Sequence, residues 1–181
     1  ECMAEALRLA RRGLYTTDPN PRVGCVIADG ARVTGRGWHA VAGGPHAEVA
    51  ALADAALRNG AAPVRGQTAY VTLEPCSHHG RTPPCADALI AARVERVVVA
   101  MQDPNPLVAG QGIARLNDAG MEVEFGLMEA AARELNIGFV ARMTRGLPWV
   151  RSKIAMSLDG RTALANGSSQ WITGAAARRD G

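Results

Sequence analysis

Two hydrophobic periods alternate along the chain. Met3, Ala6, Leu7 and Ala10 stand at helical spacing and predict a helix over 1–13, with Gly13 as its stop. The stiff turn Asp18-Pro19-Asn20-Pro21 follows. Residues 23–28 and 32–38 then read as two strands joined at Asp29-Gly30, a hairpin dipeptide. Gly43-Gly44-Pro45 delivers the chain to His46, and an alanine-rich helix is predicted from there to about 58, closed by Asn59-Gly60. A strand over 67–73, a loop over 74–84 and a helix from Pro84 to about 92 come next. Residues 96–101 contain Val97-Val98-Val99, the run of a strand buried on both faces. A short helix over 113–119, a strand over 121–125 and a longer helix over 128–143 complete the order by about residue 145. This alternation predicts an α/β layer architecture with a largely parallel sheet behind an initial hairpin.

Beyond Gly146 the pattern restarts. Residues 149–156 read as a fresh strand, 157–160 as a tight turn, and 168–173 as the approach to a helix. So short a segment cannot bury a core unaided. The expected organisation is therefore one domain over 1–145 and the truncated start of a second over 146–181.

Composition narrows the classes. The chain has 181 residues, of which 48% are hydrophobic and 20% charged, a globular balance. No apolar run approaches the roughly 18 residues a spanning helix needs, and no signal-peptide pattern opens the chain. A cytoplasmic protein with no membrane partner is the expectation. Net charge is +3, but unevenly placed. Residues 1–141 carry 13 basic and 15 acidic side chains (net -2), and residues 142–181 carry 7 and 2 (net +5). The larger part shows no electrostatic footprint for nucleic acid, and its few aromatics form no stacking platform. Four cysteines are too few for a disulfide framework at this length. Cys2 and Cys25 lie in apolar patterns and read as small buried residues.

The chemistry concentrates in His46-Ala47-Glu48, followed by Pro75-Cys76 and, after eight intervening residues, Cys85. One imidazole and two thiolates make a three-ligand zinc set with the fourth position open to water. His46 opens one predicted helix and Cys85 lies in the first turn of another, so both donors sit at helix N-termini, which favour thiolate. Glu48 suits a general base that moves a proton from water to a ring nitrogen and then to a departing amine. That is hydrolytic deamination of an amidine-like ring carbon. A non-catalytic, zinc-stabilised binding module is the alternative, because His78 or His79 inside the loop could close a four-ligand structural site. A Cys76–Cys85 disulfide is the third reading. Asp-Pro-Asn-Pro recurs at 103–106, directly after a predicted strand, and holds Asn105 between two prolines as Asn20 is held.

The segment Thr72-Leu73-Glu74-Pro75-Cys76-Ser77-His78-His79-Gly80-Arg81-Thr82-Pro83-Pro84-Cys85 resembles the signature of the bifunctional riboflavin-biosynthesis deaminase/reductase family. The eight-residue cysteine gap is that family's spacing and departs from the nucleoside and transfer-RNA deaminases, the rival enzyme reading. The likeness extends through Asn20-Pro21-Arg22-Val23-Gly24, His39, Asp103-Pro104-Asn105-Pro106, Lys153 to Arg161 and Ser169 to Thr173.

The resemblance implies a three-layer α/β/α cytidine-deaminase-like mixed sheet, followed by the start of an α/β reductase domain. It implies deamination of 2,5-diamino-6-(5-phosphoribosylamino)pyrimidin-4-one to the uracil derivative plus ammonia. His46, Cys76 and Cys85 would bind Zn2+ and Glu48 would move protons. Asn20 and His39 would contact the pyrimidine, Asp103 and Asn105 the ribose, and Arg81 the phosphate. In the reductase-like segment Lys153 and Ser169 match substrate positions, and Ala155 and Trp171 match NADP positions. NADPH use would require the whole reductase domain, so this chain is expected to lack a working reductase. A homo-oligomer is left open.

Overall fold

The computed structural model describes residues 1–58, 64–78 and 83–179. Two compact units divide the chain, Glu1–Pro148 and Trp149–Gly181. The first carries helix α1 (Cys2–Ala10), strands β1 (Gly24–Asp29) and β2 (Arg32–Trp38), helix α2 (Ala47–Arg58), β3 (Thr68–Val71), α3 (Cys85–Ala91), β4 (Arg96–Val99), α4 (Gln111–Asp118), β5 (Glu122–Phe125), α5 (Glu129–Leu135) and α6 (Ile137–Arg145). One five-stranded sheet runs in the order β2-β1-β3-β4-β5. β1 pairs antiparallel with both β2 and β3, whereas β3, β4 and β5 run parallel. The sheet is thus mixed, with the predicted hairpin forming its antiparallel side.

Alternation along the strands builds the three layers. Val97 and Val99 face a cluster that holds Ala47, Ala51 and Ala55 of α2, Ala86 and Leu89 of α3, and Leu116 of α4. Val98 faces the opposite cluster, with Met3, Ala6 and Leu7 of α1 and Ala132 of α5, against which Phe139 and Val140 of α6 pack. Side chains two apart on a strand share a face, so one run of valines fills both interiors. Cys25 is buried among the first cluster, and Cys2 is half-buried against the second.

Two close approaches fix where the helices sit. A Cβ on Gly37 of β2 would lie 2.2 Å from the Ala47 carbonyl oxygen and 2.3 Å from the Ala51 nitrogen, so α2 lies directly on strand backbone. A Cβ on Gly112 would lie 2.0 Å from the Pro75 carbonyl oxygen, which seats α4 against the residue before Cys76.

Three expectations are corrected. The helix predicted over 128–143 is two helices, α5 and α6, separated at Asn136 (φ -108°, ψ 23°). Asn136 is fully buried, its Oδ1 accepts from the Arg22 N–H at 2.8 Å, and its Nδ2 donates to the Arg22 carbonyl at 3.0 Å. The side chain thereby pairs with loop backbone far away in sequence, and that tertiary bond accompanies the break in the helical pattern. The expected strand over 149–156 does not form: those residues are irregular and join no sheet among the described residues. Cys2 is not fully buried. The Asn59-Gly60 helix stop lies outside the described residues.

In the second unit a short helix, α7 (Ala175–Arg179), is the one regular element among the described residues, none of which is buried. Lys153 Nζ donates to the Ala177 carbonyl at 2.9 Å, and the Arg178 guanidinium lies over the Trp171 ring at 4.4 Å. No helix is long and apolar enough to cross a membrane among the described residues.

Candidate metal centre

The site lies where the parallel strands β3 and β4 end, the usual ligand crevice of an open α/β sheet. Backbone pairing continues past both strands, with the Glu74 N–H donating to the Met101 carbonyl at 2.9 Å. Cys76 follows β3 through Glu74-Pro75, and Asp103 follows β4 through Ala100 to Gln102. His46 immediately precedes α2, and its carbonyl accepts the Ala50 N–H at 3.0 Å. Cys85 is the first residue of α3, with Pro84 as N-cap. Two bonds stitch the cysteine loop shut: the Cys85 N–H donates to Cys76 Sγ at 3.3 Å, and the Ala86 N–H to the Cys76 carbonyl at 3.1 Å.

His46, Cys76 and Cys85 therefore converge, with their donor atoms all within 4.8 Å of one another. His46 Nδ1 lies 3.2 Å from Cys85 Sγ and 3.6 Å from Cys76 Sγ. Tetrahedral zinc with ordinary bond lengths spaces nitrogen and sulfur ligands by about 3.5 Å, so the donor set and its spacing fit that ion. The two cysteines are unbridged. His78 is exposed and is not part of the cluster, so among the described residues the set is three donors, as an open catalytic site requires; His79 lies outside those residues.

The three donors share protons in the metal-free chain. The Cys85 thiol hydrogen-bonds to Cys76 and, with help from His46, holds Cys76 down at about 4. Cys85 is pushed up in return, chiefly by that shared proton and by burial. His46 is raised, chiefly by its bond to Cys76. Glu48, in the first turn of α2, is buried, and burial lifts its carboxyl to about 7, with the Cys76 charge adding to the rise. A carboxyl so placed is ready both to take and to give a proton near neutrality.

Glu48 and two of the three donors line a cavity of about 330 Å³, together with Asn20, His39, Asp103 and Asn105. Asn20 Nδ2 donates to His39 Nε2 at 3.2 Å, and His39 Nδ1 faces the Pro45 carbonyl at 3.0 Å. These partners assign the His39 proton to Nδ1, because both the Asn20 amide and the Pro45 carbonyl must be satisfied. The His39 and His46 rings meet edge to face with centroids 5.6 Å apart. The second Asp-Pro-Asn-Pro folds as a turn in which Asp103 Oδ1 accepts the Asn105 N–H at 2.8 Å, and burial raises the Asp103 carboxyl. Arg81 lies outside the described residues. Lys153, Ala155, Ser169 and Trp171 belong to the other unit and are exposed.

The cavity also contains residues that the sequence left without a role. Phe139 and Met143, one turn apart on α6, line it with Val108. Glu74 lines it too, although it is buried and its carboxylate accepts four backbone N–H groups. An acid that interrupts the apolar run Tyr70 to Leu73 just before Pro75-Cys76 was the available signal for Glu74. Nothing local marks Phe139 as a wall rather than a core residue.

Comparison with known proteins agrees with this geometry. Residues 1–101 match the family described as the cytidine and deoxycytidylate deaminase zinc-binding region, and residues 148–181 match the RibD C-terminal domain. The riboflavin biosynthesis protein RibD of Escherichia coli K12 is 60% identical over 178 residues, 98% of this chain and 47% of that protein. The chain thus spans about half the length of the curated relatives it matches. Among solved structures, Acinetobacter baumannii RibD superposes with a TM-score of 0.90 at 57% identity, over 99% of this chain and 49% of that one. A Thermotoga maritima protein described as a diaminohydroxyphosphoribosylaminopyrimidine deaminase/5-amino-6-(5-phosphoribosylamino)uracil reductase superposes with a TM-score of 0.90 at 41% identity, over 96% and 49%. With three candidate metal donors gathered beside a buried glutamate and the family match covering 101 of 181 residues, the chain belongs to the cytidine and deoxycytidylate deaminase zinc-binding family.

Proposed function

We propose that the first unit deaminates 2,5-diamino-6-(5-phosphoribosylamino)pyrimidin-4-one at ring carbon 2, giving 5-amino-6-(5-phosphoribosylamino)uracil and ammonia in riboflavin biosynthesis in the cytoplasm. The observation that carries the reading is the convergence of His46, Cys76 and Cys85 beside the buried Glu48, on the wall of a cavity large enough for a pyrimidine. The name of the Thermotoga maritima relative supports the substrate. Bound zinc supplies Lewis-acid activation of a water, lowering its pKa toward about 7.

The remaining chemistry falls to side chains. Glu48 takes a proton from the attacking water and gives it to a ring nitrogen. A second proton passes the same way to the amino group, which leaves as ammonia as the carbonyl forms. Asn20 and His39 orient the ring: the Asn20 carbonyl oxygen, not used in its bond to His39, is free to accept from a ring N–H or amino group. Asp103 and Asn105 meet the ribose, and Arg81 the phosphate. Lys153 and Ser169 are proposed as substrate contacts, and Ala155 and Trp171 as NADPH contacts, of a reductase site. The second unit buries none of its described residues, so that site would need further protein to enclose a nicotinamide.

The test is ammonia release from the diaminopyrimidine phosphate, with cytidine as the comparison substrate. Release from the first alone is expected, and it should fall by about 10²-fold or more in Glu48→Gln with zinc retained. Equal turnover of cytidine would favour a nucleoside deaminase. Undiminished release by Glu48→Gln would remove Glu48 from the chemistry.

A further inference from the structure

Glu74 is the buried acid that the proton chemistry leaves unused, and its bonding is divided between two structures. Oε1 accepts the N–H groups of Gly112 at 2.8 Å and Ile113 at 3.2 Å, in the first turn of α4. Oε2 accepts those of Asp103 at 3.1 Å and Gly110 at 3.0 Å. Gly110 is the N-cap of α4, so three of the four donors belong to that helix's N-terminus, and a carboxylate serving only as a helix cap would need those alone. The fourth, the Asp103 N–H, ties the same carboxylate across the loop to the residue that lines the cavity. Asp103 in turn accepts the Asn105 N–H, so the bonds run from Glu74 through Asp103 to Asn105 without a gap. Glu74 is also two residues from Cys76, and α4 is seated on the intervening Pro75 through Gly112.

We propose that Glu74 is a positioning residue of the deaminase site: its carboxylate ties the Asp103–Asn105 loop to the metal loop and so sets the distance between the sugar contacts and the reacting ring carbon. This rests on the reading that Asp103 and Asn105 hold the ribose. The carboxylate is the side chain suited to the task. It presents acceptors on both oxygens and no donor, whereas the isosteric amide would face two of the four N–H groups with its own N–H groups.

The experiment compares steady-state ammonia release, zinc content and melting temperature for the wild type, Glu74→Gln, Asn105→Ala and the double variant. Expected for Glu74→Gln is a KM about tenfold higher, a smaller fall in kcat, and full zinc. Because both residues would act through one loop, the double variant should have a KM within about twofold of the worse single variant, where independent effects would multiply. A Glu74→Gln protein that loses zinc and kcat while keeping its KM overturns the proposal and leaves a purely structural acid. Multiplying KM effects overturn it as well. A wild-type KM for Asn105→Ala shows instead that the ribose assignment is wrong, and the proposal falls with it. If Glu74→Gln does not fold, Glu74→Asp keeps the carboxylate but shortens its reach to the Asp103 N–H, and its KM should rise about threefold. An unchanged KM there overturns the proposal.

Discussion

The seat of α2 on β2 makes a sharp prediction about zinc, because His46 and Glu48 travel with that helix and the two cysteines do not. In Gly37→Ala the new Cβ would meet the Ala47 oxygen at 2.2 Å and the Ala51 nitrogen at 2.3 Å, where contacts below 3.0 Å essentially never occur. Both obstacles are backbone, so no side chain can swing away. β2 is held by its ladder to β1, and the helix must withdraw by about 0.8 Å or more. The His46 nitrogen, now 3.2 and 3.6 Å from the two sulfurs, would be carried as far as about 4.0 and 4.4 Å from them by a withdrawal of that size. Zinc sites tolerate only about 0.2 Å of error in bond length, so retention should fall by tenfold or more. The accompanying displacement of Glu48 should lower kcat/KM by about 10²-fold. The overpacking should cost about 1–3 kcal/mol of stability. Metal analysis after gel filtration and an ammonia assay on the same sample measure both. Gly30→Ala is the control: its φ of +55° also disfavours alanine, but nothing lies within 4 Å of the new carbon. It should lose about 1 kcal/mol and keep its zinc. A Gly37→Ala protein with full zinc and activity within threefold of wild type would refute the claim that this contact places His46.

Further outcomes follow from the same site. Glu48 must be ionised to accept a proton, and burial holds it up at about 7, so kcat/KM should decline on the acid side well above the ordinary carboxyl value of 4.5; a limb at or below 4.5 would show that burial does not govern it. At neutral pH Cys76, held at about 4, is already thiolate while Cys85, shifted upward, keeps its proton. Zinc uptake by the metal-free chain should therefore release at least one proton and tighten as pH rises, measurable by calorimetry in buffers of different ionisation enthalpy; pH-independent affinity counts against the shared-proton pair. Asn136→Ala leaves the Arg22 N–H and carbonyl without their partner, a loss of about 3 kcal/mol that should lower the melting temperature by roughly 6–12 °C, and an unchanged melting curve would count against that role.

Much of this was readable from sequence because it is local. The helical spacing of Met3, Ala6, Leu7 and Ala10, the Asp29-Gly30 hairpin and the valine run of β4 are set by neighbours a few residues apart, and each element formed where its period placed it. The candidate donors were equally visible, since a histidine at one helix mouth and a cysteine at another are local patterns, and the fold brings them together. What tertiary structure decided is everything that depends on bonds between distant residues. The order β2-β1-β3-β4-β5 is a choice among pairings that the strands alone do not make. The helix break at Asn136 accompanies bonds to Arg22, and the contact between Asn20 and His39 exists because two loops meet over one cavity. Residues 149–156 carry a strand's pattern yet form no strand among the described residues, and periodicity alone cannot build a sheet. Glu74 shows the same division. Its position before Pro75-Cys76 was visible from the start, but only the fold brings the N-terminus of α4 and the Asp103 N–H onto its two oxygens, and a buried acceptor takes its role from the donors that surround it.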